Sequence, residues 1–261
     1  GFFFDILEQA DGSSTPIKVR SLVGLLSIVA VMIIDAETLN QLPSFQRSLD
    51  WFHRHRRQRL KYPVLQGYQA GQSLLLSLVP KDRLKKLLST LFDEAEFLSP
   101  YGIRSLSKRH QTPYQIKIGG QIYSIQYAPG ESPNYLFGGN SNWRGPVWMP
   151  VNYLFIQALR TYHAYYGDAL SLANPVSQQL PWSMQQWSDE ISRRLIALFR
   201  QQQGERPINQ LHAATYRDPH FRNLILFYEY FHGDNGRGLG ASHQTGWTGL
   251  VANLIEELKD K

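Results

Sequence analysis

The sequence predicts an all-α fold, a toroid of helices into which one small β-hairpin is inserted. Most of the 261 residues fall in long segments whose apolar side chains recur every three or four positions, the spacing of a helix with one buried face. Tyr114–Gln126 departs from this spacing, because two alternating strands flank Gly119 and Gly120, as in a hairpin with a two-residue turn. No repeat of about 20 to 50 residues is visible, which disfavours a simple solenoid. A four-helix bundle with insertions remains an alternative.

The first part of the chain is predicted to contain three helices. A short segment at Phe2–Gln9 and a turn at Asp11–Ser14 come first. Helices are then expected from about Val19 through the apolar stretch Ser21–Ile34, from Glu37 to Arg57, and from Pro80 to about Phe97, with a loop between Tyr62 and Gln72. The fourteen residues of Ser21–Ile34 are fewer than the roughly 20 that cross a bilayer. We therefore expect a helix buried on most sides, and no membrane span.

The second part of the chain is predicted to contain four further helices. Pro146 is expected to open a long helix that ends near Tyr166, where Gly167 is placed as its C-terminal stop. Three more helices are expected at Ser183–Gln203, Pro219–Phe231 and Thr245–Leu258. Glu229 would then lie in the last turn of the helix that ends at Phe231.

The composition is that of a globular protein, with 43% hydrophobic and 18% charged residues. The net charge of +6 is concentrated partly in one basic run, which consists of His53, Arg54, His55, Arg56, Arg57, Arg59 and Lys61. One interpretation of this run is a nucleic-acid surface, and the other is a solvated end of a helix, where cations are favourable. Because no nucleic-acid-binding motif accompanies the run, we favour the helix end and expect no nucleic-acid partner.

The chain contains no cysteine, so disulfides and thiolate metal sites are excluded. No secretory signal is visible, and the sequence starts abruptly at Gly1 in an apolar aromatic run without an initiator methionine. We therefore expect a piece of a longer protein whose N-terminal part is missing here, so that the missing signal says nothing about the parent protein. The location we expect for the parent is cytoplasmic.

Glu229 is the most informative candidate, because a lone carboxylate there lies among Phe227, Tyr228, Tyr230 and Phe231. A carboxylate between aromatic side chains is costly to keep unless it has a function. Four glycines follow within the eight residues from Gly233 to Gly240, and glycine lets a backbone and a ligand approach closely. Together these features are typical of one wall of a carbohydrate site.

Three loops combine glycine, an aromatic side chain and polar groups, the mixture that sugars need because their C–H faces stack on rings and their hydroxyls hydrogen-bond. They are Ser99–Leu106, Gly138–Trp148 and the segment from Phe227 to Trp247. The alternative for each loop is a structural role; Gly145-Pro146 is a good helix start, and the Arg144 side chain could cap carbonyls. The candidate sugar-binding residues are Tyr101, Arg104, Asn142, Trp143, Arg144, Trp148, His243, Gln244 and Trp247.

Other kinds of site are disfavoured by the spacing. Gly236, Gly238 and Gly240 do not follow a strand, so they are not a dinucleotide fingerprint, and no phosphate-loop motif is present. His232, His243 and Asp234 match no standard metal-ligand spacing, so we expect neither a metal nor a cofactor. Ser242 beside His243 is not a catalytic triad, because sequence neighbours seldom face one another.

Long motifs in the chain resemble glycoside hydrolase family 63, the mannosyl-oligosaccharide glucosidases and their bacterial relatives. The residues that carry the resemblance are Gly139–Leu154, Leu226–Gly236, Gly240–Leu250, Ser99–Ser107 and Gly1–Leu7. The resemblance implies an (α/α)6 barrel. It also implies hydrolysis of α-glycosidic, commonly α-glucosidic, bonds of oligosaccharides, with inversion of configuration at the anomeric carbon. Residues 1–261 would be the C-terminal portion of one catalytic domain, and Glu229 occupies the position of the family's general base. Val-Met-Ile-Ile-Asp, within Ile28–Ala36, looks inserted relative to the family.

An inverting mechanism needs a second carboxylate that protonates the leaving oxygen. In the family this acid is an aspartate upstream of the segment matched by Gly1–Leu7, so we expect it to be missing here and the isolated chain to be inactive. The in-chain substitutes are Asp5, Glu131 and Asp234. A rival interpretation is a noncatalytic carbohydrate-binding or scaffold protein that retains the barrel wall.

Overall fold

The computed structural model of the chain describes residues 1–56, 65–66, 72–133, 141–174 and 180–259, and every structural statement below refers to these residues. Helices are the principal elements, in agreement with the sequence. They are α1 (Ala36–Asn40), α2 (Pro43–Arg56), α3 (Lys81–Leu91), α4 (Met149–Tyr166), α5 (Met184–Ala197), α6 (Ala213–Arg217), α7 (Thr245–Thr248) and α8 (Val251–Lys259). Short 3₁₀ helices lie at Leu22–Ile28, Lys108–Gln111, Gly167–Ala169 and Pro207–His212.

Small antiparallel strand pairs accompany the helices, so the fold goes beyond the all-α class with one hairpin. The strands are β1 (Asp5–Glu8), β2 (Ser14–Ile17), β3 (Val31–Ile34), β4 (Leu65–Gln66), β5 (Leu74–Ser77), β6 (Leu98–Ser99), β7 (Gly102–Ile103), β8 (Tyr114–Ile118), β9 (Gln121–Ile125), β10 (Ser171–Leu172), β11 (Trp182–Ser183), β12 (Tyr230–Phe231) and β13 (Gly238–Leu239). The two-stranded pairs are β1–β2, β6–β7, β8–β9, β10–β11 and β12–β13. The remaining three strands form one sheet in which β5 lies between β3 and β4.

The predicted β-hairpin is confirmed as β8 and β9, with Tyr114 opposite Ile125 and Ile118 opposite Gln121. Gly119 and Gly120 form its turn with φ of 57° and 86°. Both angles are positive, as a turn of type I′ requires, and glycine adopts them without steric cost.

The main core joins the apolar faces of α3, α4, α5 and α8. In α3, Leu84, Leu87, Leu88 and Leu91 are fully buried, as their spacing predicts. Helix α4 packs against α5, and α5 packs against α8. Within the described part of the chain, no helix is both long and apolar enough to cross a membrane.

Two predicted helix boundaries are wrong for local reasons. Helix α3 begins after Pro80, as expected, but ends at Leu91 rather than near Phe97. Asp93 ends it, because its carboxylate accepts from the amide of Ala95 at 2.8 Å and its carbonyl accepts from the amides of Glu96 and Leu98. Helix α5 has the expected start, since Ser183 and Gln186 form a capping box, but it ends at Ala197 rather than Gln203.

Helix α4 starts later than predicted, at Met149 instead of Pro146. Val147 exchanges two backbone hydrogen bonds with Phe231, at 2.8 and 2.9 Å, which holds it extended. The helix therefore begins beyond this bridge, with Pro150 in its first turn. It ends at Tyr166 as predicted, and Gly167 follows with φ of 53°.

The predicted helix from Val19 to Ile34, expected to be buried on most sides, is wrong in kind and only partly right in burial, because Val23, Leu26 and Met32 are exposed. Leu22–Ile28 is a 3₁₀ helix whose residues Leu22, Leu25 and Ile28 are buried, and Val31–Ile34 forms strand β3. β-Branched Val31, Ile33 and Ile34 favour the strand. Four of the five residues that look inserted in the sequence, Val31–Ile34, thus form a strand paired with β5.

The predicted helix Glu37–Arg57 consists of two helices, α1 and α2. Asp35 caps α1, because its carboxylate accepts from the amide of Thr38 at 2.7 Å, and Pro43 starts α2. The basic residues His53–Arg56 form the last turn of α2, whereas Arg57, Arg59 and Lys61 lie outside the described residues. Most of the predicted loop Tyr62–Gln72 also lies outside them, apart from β4.

The predicted helix Pro219–Phe231 is wrong, and this matters most for the site. The helix in this region, α6, ends at Arg217, and Asp218 follows in an extended conformation. Residues 219–229 form turns and an isolated bridge, after which Tyr230 and Phe231 form β12. The predicted final helix is divided into α7 and α8 around Gly249.

Candidate active site

Glu229 lies in a bend directly before β12 and is half-buried, not in the last turn of a helix. Its amide donates to the carbonyl of Ala241 at 2.9 Å, and the amide of Ala241 donates to its carboxylate Oε2 at 3.2 Å. The indole Nε1 of Trp247 donates to its carbonyl at 3.0 Å. Ala241, two residues after β13, and Trp247 of α7 thus fix both the backbone and the carboxylate.

Gly240 makes the close approach between these segments possible. Its φ is +68°, and an added Cβ would lie 2.6 Å from Glu229 Oε2 and 2.7 Å from Tyr230 Cε1. Any larger residue would displace the carboxylate or the ring, besides straining the backbone. The sequence predicts a close approach of this segment to a ligand; at Gly240 the structure shows a close approach to the side chains of Glu229 and Tyr230.

Three of the predicted tryptophans gather beside Glu229. Trp148 is buried, with 2% of its surface exposed, and stacks on Trp143 at a centroid distance of 4.1 Å and on Tyr230 at 4.6 Å. Trp247 meets Trp148 edge-on at 6.1 Å and is 38% exposed. The aromatic cluster of Trp143, Trp148, Tyr230 and Trp247 therefore has a buried centre and a partly exposed rim.

Asn142 and Arg144 lie behind this rim and bind protein groups. Asn142 is fully buried, and its Nδ2 donates to the carbonyls of Ala128 and Gly130, each at 2.7 Å. Its Oδ1 accepts from the amide of Arg144 at 3.0 Å. Arg144 Nη2 donates to Ser132 Oγ at 2.7 Å, and burial lowers the pKa of Arg144. The two residues hold the segment 128–132 in place. Gly138, Gly139 and Asn140 lie outside the described residues.

Arg104 is buried in a network with Tyr127 and Asp234. Its Nε donates to the Tyr127 hydroxyl at 2.9 Å, its Nη1 to the carbonyl of Leu98 at 2.6 Å, and its Nη2 to Asp234 at 3.2 Å. The Tyr127 hydroxyl donates to the same carboxylate at 2.9 Å. Burial raises the pKa of Tyr127, so this phenol stays protonated as a donor. The network ties the Ser99–Leu106 loop to the glycine-rich segment.

Tyr101 contacts the glycine-rich segment directly, because a Cβ at Gly236 would lie 2.8 Å from its ring. His243 and Gln244 lie in a segment bridged to Phe227, and both are exposed. The amide of Gln244 donates to the carbonyl of Phe227 at 2.6 Å. The structure thus leaves the side chains of His243 and Gln244 accessible to solvent, in the segment that pairs with Phe227.

The three in-chain candidates for a second carboxylate have different surroundings. Asp5 is exposed in β1, opposite Ile17. Asp234 is engaged by Arg104 and Tyr127. Glu131 Oε2 accepts from the Tyr230 hydroxyl at 3.2 Å, which places Glu131 beside the aromatic cluster.

Sequence reasoning did not assign functions to Tyr127 and Tyr230, whose roles depend on contacts distant in sequence. The only feature of the sequence that could have indicated a role for Tyr230 is its position directly after Glu229.

His232 is half-buried, which lowers its pKa, and its Nδ1 accepts from the amide of Asp234 at 3.2 Å. Among the described residues, no three His, Asp or Glu side chains are grouped so that they could hold a metal.

Comparisons with known proteins agree on one enzyme family. The sequence model described as "Glycosyl hydrolase family 63 C-terminal domain" matches residues 30–186, which include Glu131 and Trp148 but not Glu229. The chain is 41% identical to the Saccharomyces cerevisiae "Uncharacterized protein YMR196W" over 98% of its own length and 24% of the relative.

Two further relatives have names that state an activity. The "Probable mannosyl-oligosaccharide glucosidase" of Schizosaccharomyces pombe is 28% identical over 73% of the chain and 18% of the relative. The "Mannosyl-oligosaccharide glucosidase" of Saccharomyces cerevisiae is 28% identical over 73% of the chain and 17% of the relative. The chain therefore spans about a quarter or less of the length of these relatives.

Proposed function

The chain belongs to glycosyl hydrolase family 63, and from this premise we propose that it supplies the general-base half of the site of an inverting α-glycosidase. The names of two relatives support an α-glucosidic bond in an oligosaccharide as the substrate. The observation that carries the proposal is the fixed carboxylate of Glu229 beside partly exposed Trp247.

In the proposed reaction, Glu229 accepts a proton from a water molecule as that water attacks the anomeric carbon. A second carboxylic acid protonates the glycosidic oxygen as the carbon–oxygen bond breaks, from a position roughly 6.5–9.5 Å away. We place this acid in the part of the parent protein that precedes the chain. The amide of Ala241 holds Glu229 Oε2, so the other oxygen remains to face water.

The surrounding side chains divide into two groups by exposure. We propose that Trp143, Trp247 and Tyr101 stack on sugar rings, and that His243 and Gln244 bond hydroxyls. Buried Arg104, Asn142, Arg144 and Trp148 would act by positioning the segments that carry these contacts, since their polar groups bind protein atoms.

We propose that the chain forms the C-terminal portion of an (α/α)6 toroid. The packing of α4 on α5 and of α5 on α8 supports this arrangement, as does the description of the matching family as a C-terminal domain. The greater length of the relatives is consistent with a missing N-terminal part.

Hydrolysis assays on this chain and on a longer form extended upstream test the proposal. We expect hydrolysis of an α-glucoside such as maltose or p-nitrophenyl α-glucoside by the longer form alone, because both carboxylates are needed. Sugar binding without hydrolysis by either form would instead favour the rival, a noncatalytic carbohydrate-binding protein.

A further inference from the structure

We propose that Glu131 is a second carboxylate of this site, which accepts hydrogen bonds from the hydroxyls of a neutral sugar and is held in position by Tyr230. The inference rests on the proposed function, because it assigns a substrate contact to the site of Glu229. It selects one of the three in-chain carboxylates and gives it a binding role in which no proton is transferred.

The segment that carries Glu131 is held from three sides. Asn142 Nδ2 donates to two of its carbonyls, at Ala128 and Gly130. The amide of Ala128 donates to the carbonyl of Arg144 at 2.6 Å, and the amide of Gly233 donates to the carbonyl of Pro129 at 2.9 Å. Arg144 also donates to Ser132 at 2.7 Å. A surface segment that is fixed by buried side chains presents its exposed residue in one place.

A hydrogen bond from Tyr230 orients the carboxylate of Glu131. Tyr230 is fully buried against Trp148, and its hydroxyl donates to Glu131 Oε2 at 3.2 Å. Burial raises the pKa of Tyr230, and the charges of Glu131 and Glu229 raise it further, so the phenol keeps its proton and acts as a donor. A buried phenol thus anchors the carboxylate at the surface.

The carboxylate of Glu131 can accept further hydrogen bonds from a ligand. Its side chain is exposed, and among the described residues no lysine or arginine forms an ion pair with it. An ionised carboxylate has about four lone-pair positions, and Tyr230 occupies one of them. The remaining positions suit two neighbouring hydroxyls of a sugar ring.

Glu131 and Glu229 are connected through Tyr230, which assigns them to the same site. Tyr230 follows Glu229 in sequence, and a Cβ added at Gly240 would meet both the Glu229 carboxylate and the Tyr230 ring, so the two side chains lie close to the same backbone position. Two carboxylates therefore flank one phenol at the edge of the aromatic cluster. Such a pair favours uncharged polyhydroxyl ligands and repels sugar acids. The site is accordingly one for neutral sugars such as glucose, and it discriminates against glucuronate.

Binding measurements by titration calorimetry on the parent protein test the inference without requiring turnover. In the Glu229→Gln background, we compare the affinities for glucose and for glucuronate before and after adding Glu131→Gln. We expect glucose affinity to fall about tenfold or more, the effect of losing a hydrogen bond to a charged group, and the preference for glucose over glucuronate to narrow. Tyr230→Phe should weaken glucose binding less, because the carboxylate remains but loses its anchor.

The matched controls are Glu8→Gln and Tyr123→Phe, exposed residues of the two hairpins, which should leave both affinities unchanged. Unchanged glucose affinity in the natively folded Glu131→Gln protein would overturn the inference. In the otherwise unmodified parent, Glu131→Gln should raise KM while lowering kcat far less than Glu229→Gln does. Full activity of Glu229→Gln would contradict the proposed function, yet a loss of glucose affinity on changing Glu131 would still identify the contact.

Discussion

At the residue scale, the site depends on a carboxylate whose position is determined by a glycine. Glu229 accepts from the amide of Ala241, and a Cβ added at the preceding residue, Gly240, would collide with its carboxylate and with the Tyr230 ring. An effective base has to be placed within a few tenths of an ångström, because even a 1 Å displacement lowers rates by about a hundredfold. Gly240 is therefore a positioning residue for the proposed reaction.

Replacing Gly240 by alanine tests this role. We expect Gly240→Ala to lower the free energy of unfolding by about 1–3 kcal/mol, and kcat by at least about tenfold, because the new Cβ displaces Glu229. The matched control is Gly12→Ala, whose φ of +81° is also positive but whose Cβ would meet no atom within 4 Å. Gly12→Ala should lower the free energy of unfolding but leave kcat unchanged. Equal activities of the two variants in the parent enzyme would refute the positioning role.

The buried arginine gives a second test at this scale. Arg104→Gln should lower the free energy of unfolding by about 2–4 kcal/mol, since it leaves Tyr127 and Asp234 without their cation. Arg193→Gln, at an exposed i,i+3 pair, should cost less than about 0.5 kcal/mol. Chemical denaturation measures both values. A fully stable Arg104→Gln protein with weakened sugar binding would show a direct substrate contact instead.

Sequence alone could indicate that Glu229 and the tryptophans belong to one site, because aromatic side chains, glycines and a lone carboxylate share the chemistry of sugar binding. It could not separate exposed from buried members. Trp247 and Asn142 are both plausible sugar contacts by residue type, yet Trp247 is 38% exposed and Asn142 is fully buried. That difference arises from contacts between segments distant in sequence, such as Asn142 with Ala128.

At the element scale, local patterns predict helices well where one face is apolar and the ends carry a cap. Helix α5 shows this with its capping box at Ser183, as does α4 with its stop at Gly167. The failures occur where backbone pairing competes with helical propensity. Phe231 pairs with Val147, so that α4 begins only at Met149 and the chain directly after Glu229 forms a strand and not a helix. Such a partner lies more than eighty positions away and leaves no local signal.

Tyr162 connects two elements and gives a prediction about pH. Its hydroxyl donates to the carbonyl of Ile28 at 3.0 Å and lies 3.1 Å from Ser77 Oγ, so α4 holds the 3₁₀ helix and β5. Burial raises the pKa of Tyr162 from 10.0 to about 12. Because the folded state holds this proton more tightly, the stabilisation is fully present below about pH 10 and is lost as the pH rises through about 12.

Denaturation by urea between pH 9 and 11.5 measures this effect. We expect the free energy of unfolding to fall with pH, and Tyr162→Phe to remove about 2 kcal/mol of that fall. Tyr123→Phe, at an exposed position of β9, should leave the pH dependence unchanged. An identical slope in the Tyr162→Phe and unmodified proteins would contradict the assigned connection.

At the scale of the whole molecule, the chain carries a family-63 helical framework that spans about a quarter or less of the named relatives. At the candidate site, Arg104, Tyr127 and Asp234 tie the Ser99–Leu106 loop to the glycine-rich segment, and a backbone bridge joins Arg104 to Val147. In the proposed function, one carboxylate of this site, Glu229, activates water, and a second, Glu131, binds hydroxyls. The proposed proton donor then belongs to the preceding part of the parent protein.

The most direct test of the account is the turnover number of the parent enzyme carrying Glu229→Gln, compared with Glu8→Gln as a control. Glutamine keeps the shape of the side chain and its bond from Ala241 but accepts no proton from water. The account predicts that kcat falls by several orders of magnitude while the thermal unfolding temperature stays within a few degrees. Near-native turnover by Glu229→Gln would contradict it.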